Sequence, residues 1–429
     1  MKFEDLNLIK NIQQALAEEG YEAPTPIQEQ AIPIILEGID LVGCAQTGTG
    51  KTAAFAIPII NNIHRIVGSN KKVKYIRALI VTPTRELALQ IGESFDTYGK
   101  YTNIRQLTIF GGVNQVSQVD QLKKGVDVLV ATPGRLLDLH KQGHINLDHM
   151  HHLVLDEADQ MLDMGFINDV KKIIKLTPEN RQTLLFSATM PIPIRELADS
   201  FLTKPQYVSV TPISSTAEKV KQQVYFVDKG DKRKLLYHLI RNESLNNVLV
   251  FTRTKHGADN VVKALKKNGV ESGAIHGDKS QNSRQRVLDA FKNKEIPVLV
   301  ATDIAARGID IESLPYVINF DLPNIPETYV HRIGRTGRAG NSGLAISFCG
   351  SDELTYLKDI EKLIKMKIKV IDGHPYPFDA NAPKPEGQKP DLRNKPKNTN
   401  QRSGKAKPAG GGDGSRKSEA SKKNKKRWY

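Results

Sequence analysis

Two tandem α/β domains, each on a parallel sheet, follow from three features of the 429-residue sequence. Short, mainly apolar runs such as Ala78-Leu79-Ile80-Val81, Val126 to Val130, Thr183 to Phe186 and Val248 to Phe251 alternate with amphipathic stretches. That is the pattern of strands buried on both faces and joined by crossover helices. Val128-Leu129-Val130-Ala131-Thr132 is echoed by Val298-Leu299-Val300-Ala301-Thr302, so the second half repeats the first in outline. Between them the periodicity lapses into Thr211-Pro212-Ile213-Ser214-Ser215-Thr216, which reads as a linker. The expected organisation is an entry segment 1–29, a first domain 30–208, a linker 209–220, a second domain 221–375 and a tail 381–429. At this length each domain can bury a core of its own.

In chain order, Leu6, Ile9, Ile12 and Leu16 recur at helical spacing until Gly20. Tyr21-Glu22-Ala23-Pro24-Thr25-Pro26-Ile27-Gln28 follows, stiffened by two prolines, and is expected to deliver Gln28 just ahead of a helix from Ala31 to Leu36. An amide offers a donor and an acceptor together, as an adenine edge requires, and an aromatic such as Phe3 can stack on the base. Taken alone, Gln28 reads more readily as a solvated turn residue. Its place one helix ahead of the next motif shifts the weight toward a nucleotide.

That motif is Ala45-Gln46-Thr47-Gly48-Thr49-Gly50-Lys51-Thr52, preceded by the apolar run Ile39 to Cys44 and followed by helix formers to Ala56. Strand, loop and helix in this order aim backbone N–H groups and a helix N-terminus at a phosphate. Lys51 then reaches the β/γ-phosphates and Thr52 is placed to hold Mg²⁺. Ala45 stands where the generic pattern has Gly.

Three strand-to-helix junctions follow at Thr82-Pro83-Thr84-Arg85-Glu86-Leu87, Phe110-Gly111-Gly112 and Ala131-Thr132-Pro133-Gly134-Arg135. Each alone is ordinary capping. Together, on one sheet edge, they suggest a track for a phosphodiester backbone, held by helix N-termini, hydroxyls and arginine without reading sequence. His152-Leu153-Val154-Leu155 then runs into Asp156-Glu157-Ala158-Asp159. Asp156 is expected to hold the metal, partly through water, and Glu157 to orient and deprotonate the attacking water. Ser187-Ala188-Thr189, at another strand end, can hydrogen-bond these carboxylates and relay their state.

The second half has no phosphate loop of its own and offers arginine instead: Arg253, Arg284, Arg307 and His331-Arg332-Ile333-Gly334-Arg335-Thr336-Gly337-Arg338. Arg335 and Arg338, expected on one side of a helical turn, can reach the γ-phosphate of a nucleotide held by the other domain.

The formal charge is +15, unevenly spread: residues 381–429 hold 15 Lys/Arg and 4 Asp/Glu, and the rest is nearly balanced. Cys44 and Cys349 have no CxxC or histidine pairing, which fits reduced, buried thiols in a cytosolic protein and gives no support to a zinc site. No apolar run approaches the roughly 18 residues of a membrane span, so a soluble cytoplasmic chain is expected.

These motifs, about ten in the right order, make residues 1–375 resemble the DEAD-box ATP-dependent RNA helicases. Ala is that family's usual first residue in the phosphate loop, and Asn341 is one peripheral departure. The resemblance implies two RecA-like domains, ATP and Mg²⁺ as cofactors, and RNA held by sequence-independent backbone contacts. It gives the nucleotide to Phe3, Tyr21, Gln28, residues 45–52, Gly308 and Asp310, and the catalysis to Lys51, Asp156, Glu157, Arg335 and Arg338. RNA falls to Pro83, Thr84, Arg85, Gly111, Gly112, Thr132, Pro133, Gly134 and Arg135 in the first domain, and to Arg253, Gly277, Arg284 and Thr302 in the second. Asp159, Ser187, Thr189 and His331 fall to coupling. Phe226-Val227-Asp228-Lys229, Thr254 to Ala258 and His276 to Gln281 are similar to the bacterial RhlE branch, which implies ribosome assembly or RNA turnover, with ribosomal-precursor or RNA-decay proteins as partners of a monomer.

With the nucleotide between domains, ATP and RNA are each expected to favour closure and so each other's binding. Two other classes stay open: an ATP-gated clamp or annealing scaffold without significant unwinding, and a DNA-directed translocase of the same superfamily. The tail has almost no large apolar residues, is expected to be disordered, and ends in Lys422 to Arg427 followed by Trp428-Tyr429, the composition of a salt-sensitive RNA tether.

Overall fold

In the computed structural model the described residues are 1–46, 48–67, 75–210, 220–243, 245–306, 314–337 and 343–378. Thr47, Arg307, Gly308, Asp310, Arg338, Asn341 and the tail 381–429 lie outside them, as do linker residues 211–219.

The described residues build two seven-stranded sheets in which every strand pair is parallel. The first contains β1 (Leu41–Cys44), β2 (Ala78–Val81), β3 (Gln106–Ile109), β4 (Val128–Ala131), β5 (His152–Leu155), β6 (Gln182–Ser187) and β7 (Gln206–Ser209). The second contains β8 (Lys221–Phe226), β9 (Val248–Thr252), β10 (Ser272–Ile275), β11 (Val298–Thr302), β12 (Tyr316–Asn319), β13 (Leu344–Cys349) and β14 (Lys369–Val370). Their spatial orders are β3-β4-β2-β5-β6-β1-β7 and β10-β11-β9-β12-β13-β8-β14. Counted within its own sheet, each chain is threaded identically, and the echoed runs in β4 and β11 occupy the same station.

Because side chains alternate across a strand, one strand feeds two cores. In β2, Ala78 and Ile80 pack beneath helices Lys51–Val67 and Arg85–Tyr98, whereas Leu79 and Val81 join the core beneath Pro133–Lys141 and Ile167–Lys175. In β9, Val248 and Val250 likewise face one core and Leu249 and Phe251 the other. Helices on both faces leave the carboxyl edge of the strands as the open side, where ligands of such sheets sit.

Several boundaries differ from expectation for local reasons. The helix expected from Ala31 starts at Pro26, because proline suits a first helical position and Thr25 caps it: Gln28 Oε1 accepts from Thr25 N at 2.9 Å. Gln28 therefore sits inside the first turn. The first sheet runs through Ser209, and Val210 N still donates to the Cys44 carbonyl, so the chain leaves the sheet later than expected. Helix Pro326–Ile333 stops at Gly334, so Arg335 lies on the following turn rather than on a helix. Cys349 is buried, but Cys44 is only half-buried, lying at the sheet edge that opens onto the phosphate loop. No described helix is long and apolar enough to cross a membrane.

Candidate functional site

A cleft of about 450 Å³ opens at the carboxyl end of β1, walled by Tyr21, Gln28, Gly48, Gly50, Lys51 and Thr52 on one side and by Asp156 and Glu157 on the other. Gln28 ties the entry helix to the phosphate loop on the first of these walls. While its carbonyl caps the entry helix, its Nε2 donates to the Gly50 carbonyl at 3.1 Å, and Thr25 Oγ1 donates to the Thr49 carbonyl at 2.8 Å. Gly50 has φ +93°, and a Cβ there would stand 2.3 Å from Gln28 Nε2, so only glycine lets the loop and the amide coexist. Gln46 O accepts from Thr49 Oγ1 at 2.7 Å, closing the loop on itself.

Phe3 and Ala45 are not on the cleft wall. Phe3 is buried, edge-on to Tyr21 at 6.1 Å between ring centroids, and Ala45 N donates to the Ser187 carbonyl. Tyr21 is thus backed by Phe3 and by Tyr98, whose hydroxyl lies 3.0 Å from its own. Burial pushes the Tyr98 phenol up, so it stays protonated and available as a donor.

Lys51 Nζ meets Glu157 Oε1 at 2.8 Å in buried surroundings. Burial alone would raise the Glu157 carboxyl, but the Lys51 charge and hydrogen bond, together with His331 and Arg335, bring it below its ordinary value. Asp156 is raised to about 7, chiefly by burial and partly by the neighbouring Glu157, while Lys51 opposes the shift. Lys51 holds one carboxyl ionised and only partly offsets the burial of the other. Glu157 also has φ 54° and ψ 51°, a left-handed backbone costing about 1–3 kcal/mol for a non-glycine residue, and strain of this kind clusters at working sites. The Asp156 carboxylate accepts from Glu157 N, and Gln160 Nε2 donates to Glu157 Oε2 at 3.0 Å. Gln160 was invisible to motif reading; its position three residues after Glu157, one helical turn on, is the signal that could have found it.

Three of the four residues that the motifs assign to coupling are joined. Thr189 donates to Asp159 Oδ2 through both its N–H (2.9 Å) and its hydroxyl (2.8 Å), and Ser187 Oγ accepts from Asp159 N at 3.2 Å. Asp159 is therefore fixed to β6, one strand from the phosphate loop.

Equivalent threading locates the second domain's counterpart of Lys51. β1 ends at Cys44, paired with Ser187, and six residues lead to Lys51; β8 ends at Phe226, paired with Cys349, and five residues lead to Lys232. Lys232 is 2% exposed, and its Nζ donates to Glu353 Oε2 (2.5 Å) and the Phe320 carbonyl (2.8 Å), with Asp321 Oδ1 at 3.6 Å. Strand register puts Asp321 at the station of Glu157. The counterpart lysine is fully engaged by the protein's own oxygens, which leaves phosphate chemistry to the first domain. Arg253 belongs to this cluster, donating to Glu353 Oε1 (2.9 Å) and the Leu322 carbonyl (3.0 Å).

A second cleft, of about 590 Å³, is shared by both domains. The first domain lines it with Pro83, Thr84, Arg85, Gly111, Thr132, Gly134 and Arg135, the second with Gly277 and Arg284. Arg85 packs against Gly112, whose φ is +76° and where a Cβ would stand 2.3 Å from the guanidinium. Arg135 donates to Gln118 Oε1 and the Val113 carbonyl, both at 3.0 Å, so its fork braces the turn after β3. Gly112, Pro133, Thr302 and Arg253 are not on this wall; Pro133 is buried at a helix start and Thr302 ends β11. Glu86, quoted in its motif but given no role of its own, also lines it, as do Asp138, Met164, Phe166, Ile304 and Ala305. Nine of the thirteen residues that the motifs assign to nucleic acid thus meet in one groove, separate from the cleft at β1.

Residues 25–197 match the family model DEAD/DEAH box helicase and residues 231–340 the model Helicase conserved C-terminal domain. The ATP-dependent RNA helicase CshA of Limosilactobacillus reuteri is 45% identical over 370 residues, which is 86% of this chain and 73% of that protein. The DEAD-box ATP-dependent RNA helicase CshA of Geobacillus kaustophilus is 44% identical over 369 residues, 86% of this chain and 77% of that protein. These names do not carry the narrower RhlE-like expectation. Among solved structures, S. cerevisiae Dbp5 bound to RNA and ADP BeF3 matches with TM-score 0.76 at 30% identity, over 86% of this chain and 95% of that one. A DEAD box protein from Methanococcus jannaschii matches with TM-score 0.50 at 40% identity, over 87% and 99%.

Proposed function

We propose how this chain, which belongs to the DEAD-box ATP-dependent RNA helicases, divides its work between the two clefts. ATP lies in the cleft at β1, with its base against Tyr21 and Gln28 and its phosphates on residues 45–52. Asp156 and Thr52 offer the hard oxygen donors that Mg²⁺ prefers, and the buried, proton-retaining Asp156 carboxyl fits a partner cation. When bound, Mg²⁺ supplies charge neutralisation at the β/γ-phosphates.

Glu157 carries this reading. Its carboxylate belongs to the first domain, yet Arg335 and His331 of the second help to lower its pKa. Neither domain alone completes the site. Glu157 orients and deprotonates the attacking water, Lys51 holds the phosphates, and Arg335, with Arg338, meets charge developing on the γ-phosphate.

RNA lies in the shared groove, on hydroxyls, arginines and helix starts that read backbone rather than sequence. Closing both domains on a bent single strand pries apart a short duplex, and hydrolysis resets the clamp. The likeness to Dbp5 bound to RNA and ADP BeF3 supports a chain that holds both ligands. Narrower readings rest on sequence alone: a monomer in the cytoplasm, an RhlE-like role in ribosome assembly or RNA turnover, and the tail as a tether. ATP turnover measured with no nucleic acid, with single-stranded RNA and with DNA of equal length tests the central reading. Strong stimulation by RNA alone is expected. Equal turnover in all three would refute it.

A further inference from the structure

We propose that Asp303 and Arg332 form a positioning pair that transmits RNA occupancy of the groove to the arginine turn beside the nucleotide. The proposal rests on the functional reading above and adds two residues to it.

Arg332 is only 2% exposed, and its guanidinium is almost saturated. Nε and Nη2 donate to the two oxygens of Asp303 at 2.6 and 2.8 Å, a bidentate fork. Nη1 donates to Asn319 Oδ1 (3.1 Å) and the Asp321 carbonyl (2.7 Å), and the plane lies 5.0 Å from the centre of the Phe251 ring. Two parallel N–H···O bonds fix orientation as well as distance. A buried guanidinium cannot leave its carboxylate uncompensated, so the two residues move together.

They belong to segments that face different ligands. Asp303 follows Thr302 and opens the short helix Asp303–Ala306, whose next residues, Ile304 and Ala305, line the groove. Ile304 is 57% exposed, so a strand in the groove has an apolar side chain to press on. Arg332 follows His331, and its carbonyl accepts from Arg335 N at 3.1 Å. His331 and Arg335 are second-domain residues near enough to lower the pKa of Glu157. A cavity of about 20 Å³ beside the pair, lined by Phe251, Ala306, Thr328, His331 and Arg335, has room for about one water. The junction can therefore shift without overpacking. Displacement of the Ile304 helix passes through one fork to the turn that carries Arg335.

The test uses the full chain. ATP turnover with and without saturating single-stranded RNA is measured for Asp303→Asn, Asp303→Glu and the double variant Asp303→Asn with Arg332→Gln. Thermal midpoints, ATP KM and RNA affinity in the presence of a non-hydrolysable ATP analogue are measured alongside. Asp303→Asn is expected to lower RNA-stimulated turnover about 10-fold, within the range by which coupled sites influence each other, while KM and RNA affinity hold. Asp303→Glu, which keeps the carboxylate, restores most of the stimulation. The double variant, free of a lone buried charge, regains the thermal midpoint but not the stimulation. Parental stimulation in Asp303→Asn, or stimulation recovered along with stability in the double variant, overturns the proposal. A parent that RNA does not stimulate overturns the functional reading and this proposal with it, so the parent alone distinguishes the two failures.

Discussion

Glu86 of the first domain and Arg284 of the second meet at 2.7 Å across the groove, both largely shielded from water. Gln281 reinforces the contact: its Nε2 donates to Glu86 Oε1 at 3.2 Å while its Oε1 accepts from Arg85 Nη1 at 3.3 Å. Arg85 and Arg284 were read from sequence as groups for phosphate. Their neighbours and partners make them a latch between domains as well, so RNA affinity includes a contribution from closure that no RNA contact supplies.

Breaking the latch should therefore weaken RNA binding even though Glu86 carries the charge that repels RNA. Glu86→Gln is expected to reduce RNA affinity, measured with a non-hydrolysable ATP analogue, by about 10-fold, a typical coupling between sites. Loss of a repulsive carboxylate alone would instead improve it. In a double-mutant cycle with Arg284→Gln the two effects should fail to add by about 0.5–3 kcal/mol. Additive effects would mean that the two side chains act independently.

That latch marks where sequence reading ran out. Runs such as Val128–Ala131 disclosed the strands, and a lysine ahead of a helix with adjacent carboxylates after a strand disclosed the cleft, because both signals are local. A pairing between residues some 200 positions apart is not local, so Glu86 gains its meaning only from the Arg284 that the fold brings to it, and Arg332 likewise from Asp303, 29 positions before it. Arg253 shows the converse. Its type and place suggested RNA, but Glu353, contributed by the segment after β13, draws the guanidinium into a cluster within the second domain. Groove-lining apolar residues such as Phe166 and Ile304 were missed because an apolar side chain in sequence reads as core.

Glu157→Gln keeps the size of the side chain but removes the proposed base and one of the two oxygens that accept from Lys51 and Gln160. Turnover saturated with ATP and RNA should fall by about 10² to 10⁴, the usual worth of a general base, with ATP still bound. Equilibrium binding of a fluorescent ATP analogue alongside steady-state hydrolysis checks both halves. A variant that hydrolyses normally would remove Glu157 from the chemistry.

Arg335→Lys retains a positive charge but not a planar fork. An arginine acting on a developing γ-phosphate charge is worth about 10³ to 10⁵ in rate, and lysine does not replace it geometrically. Turnover should drop by about 10³ while RNA binding in the absence of nucleotide is unchanged. A loss of only a few-fold would assign Arg335 to binding rather than to the transition state.

Deleting 381–429 removes 15 Lys/Arg. RNA affinity should fall, and its decline with salt should become shallower, because fewer counterions are released on binding. ATP turnover at saturating RNA should persist. Unchanged affinity and unchanged salt slope would reduce the tail to a solubilising segment.

His152 gives the fold an acid limit. It is buried at the start of β5, with Nδ1 donating to Gln182 Oε1 at 3.0 Å, and burial pushes its pKa from 6.5 down to about 4. The folded chain keeps the ring neutral, whereas the unfolded chain takes up a proton below about 6.5. Between about pH 4 and 6.5 the unfolded state therefore binds more protons, and stability rises with pH. The contribution is complete above the unfolded value, is lost as pH falls through this window, and amounts to about 3 kcal/mol. Gln182 Nε2 also donates to the Ile35 and Ile39 carbonyls, at 3.1 and 2.7 Å, so a protonated His152 would disturb the chain that leads into the phosphate loop. Denaturant midpoints of parent and His152→Asn, compared from pH 4 to 7, should show a steep slope in the parent and a flatter one in the variant. Parallel slopes would assign the acid limit to other groups.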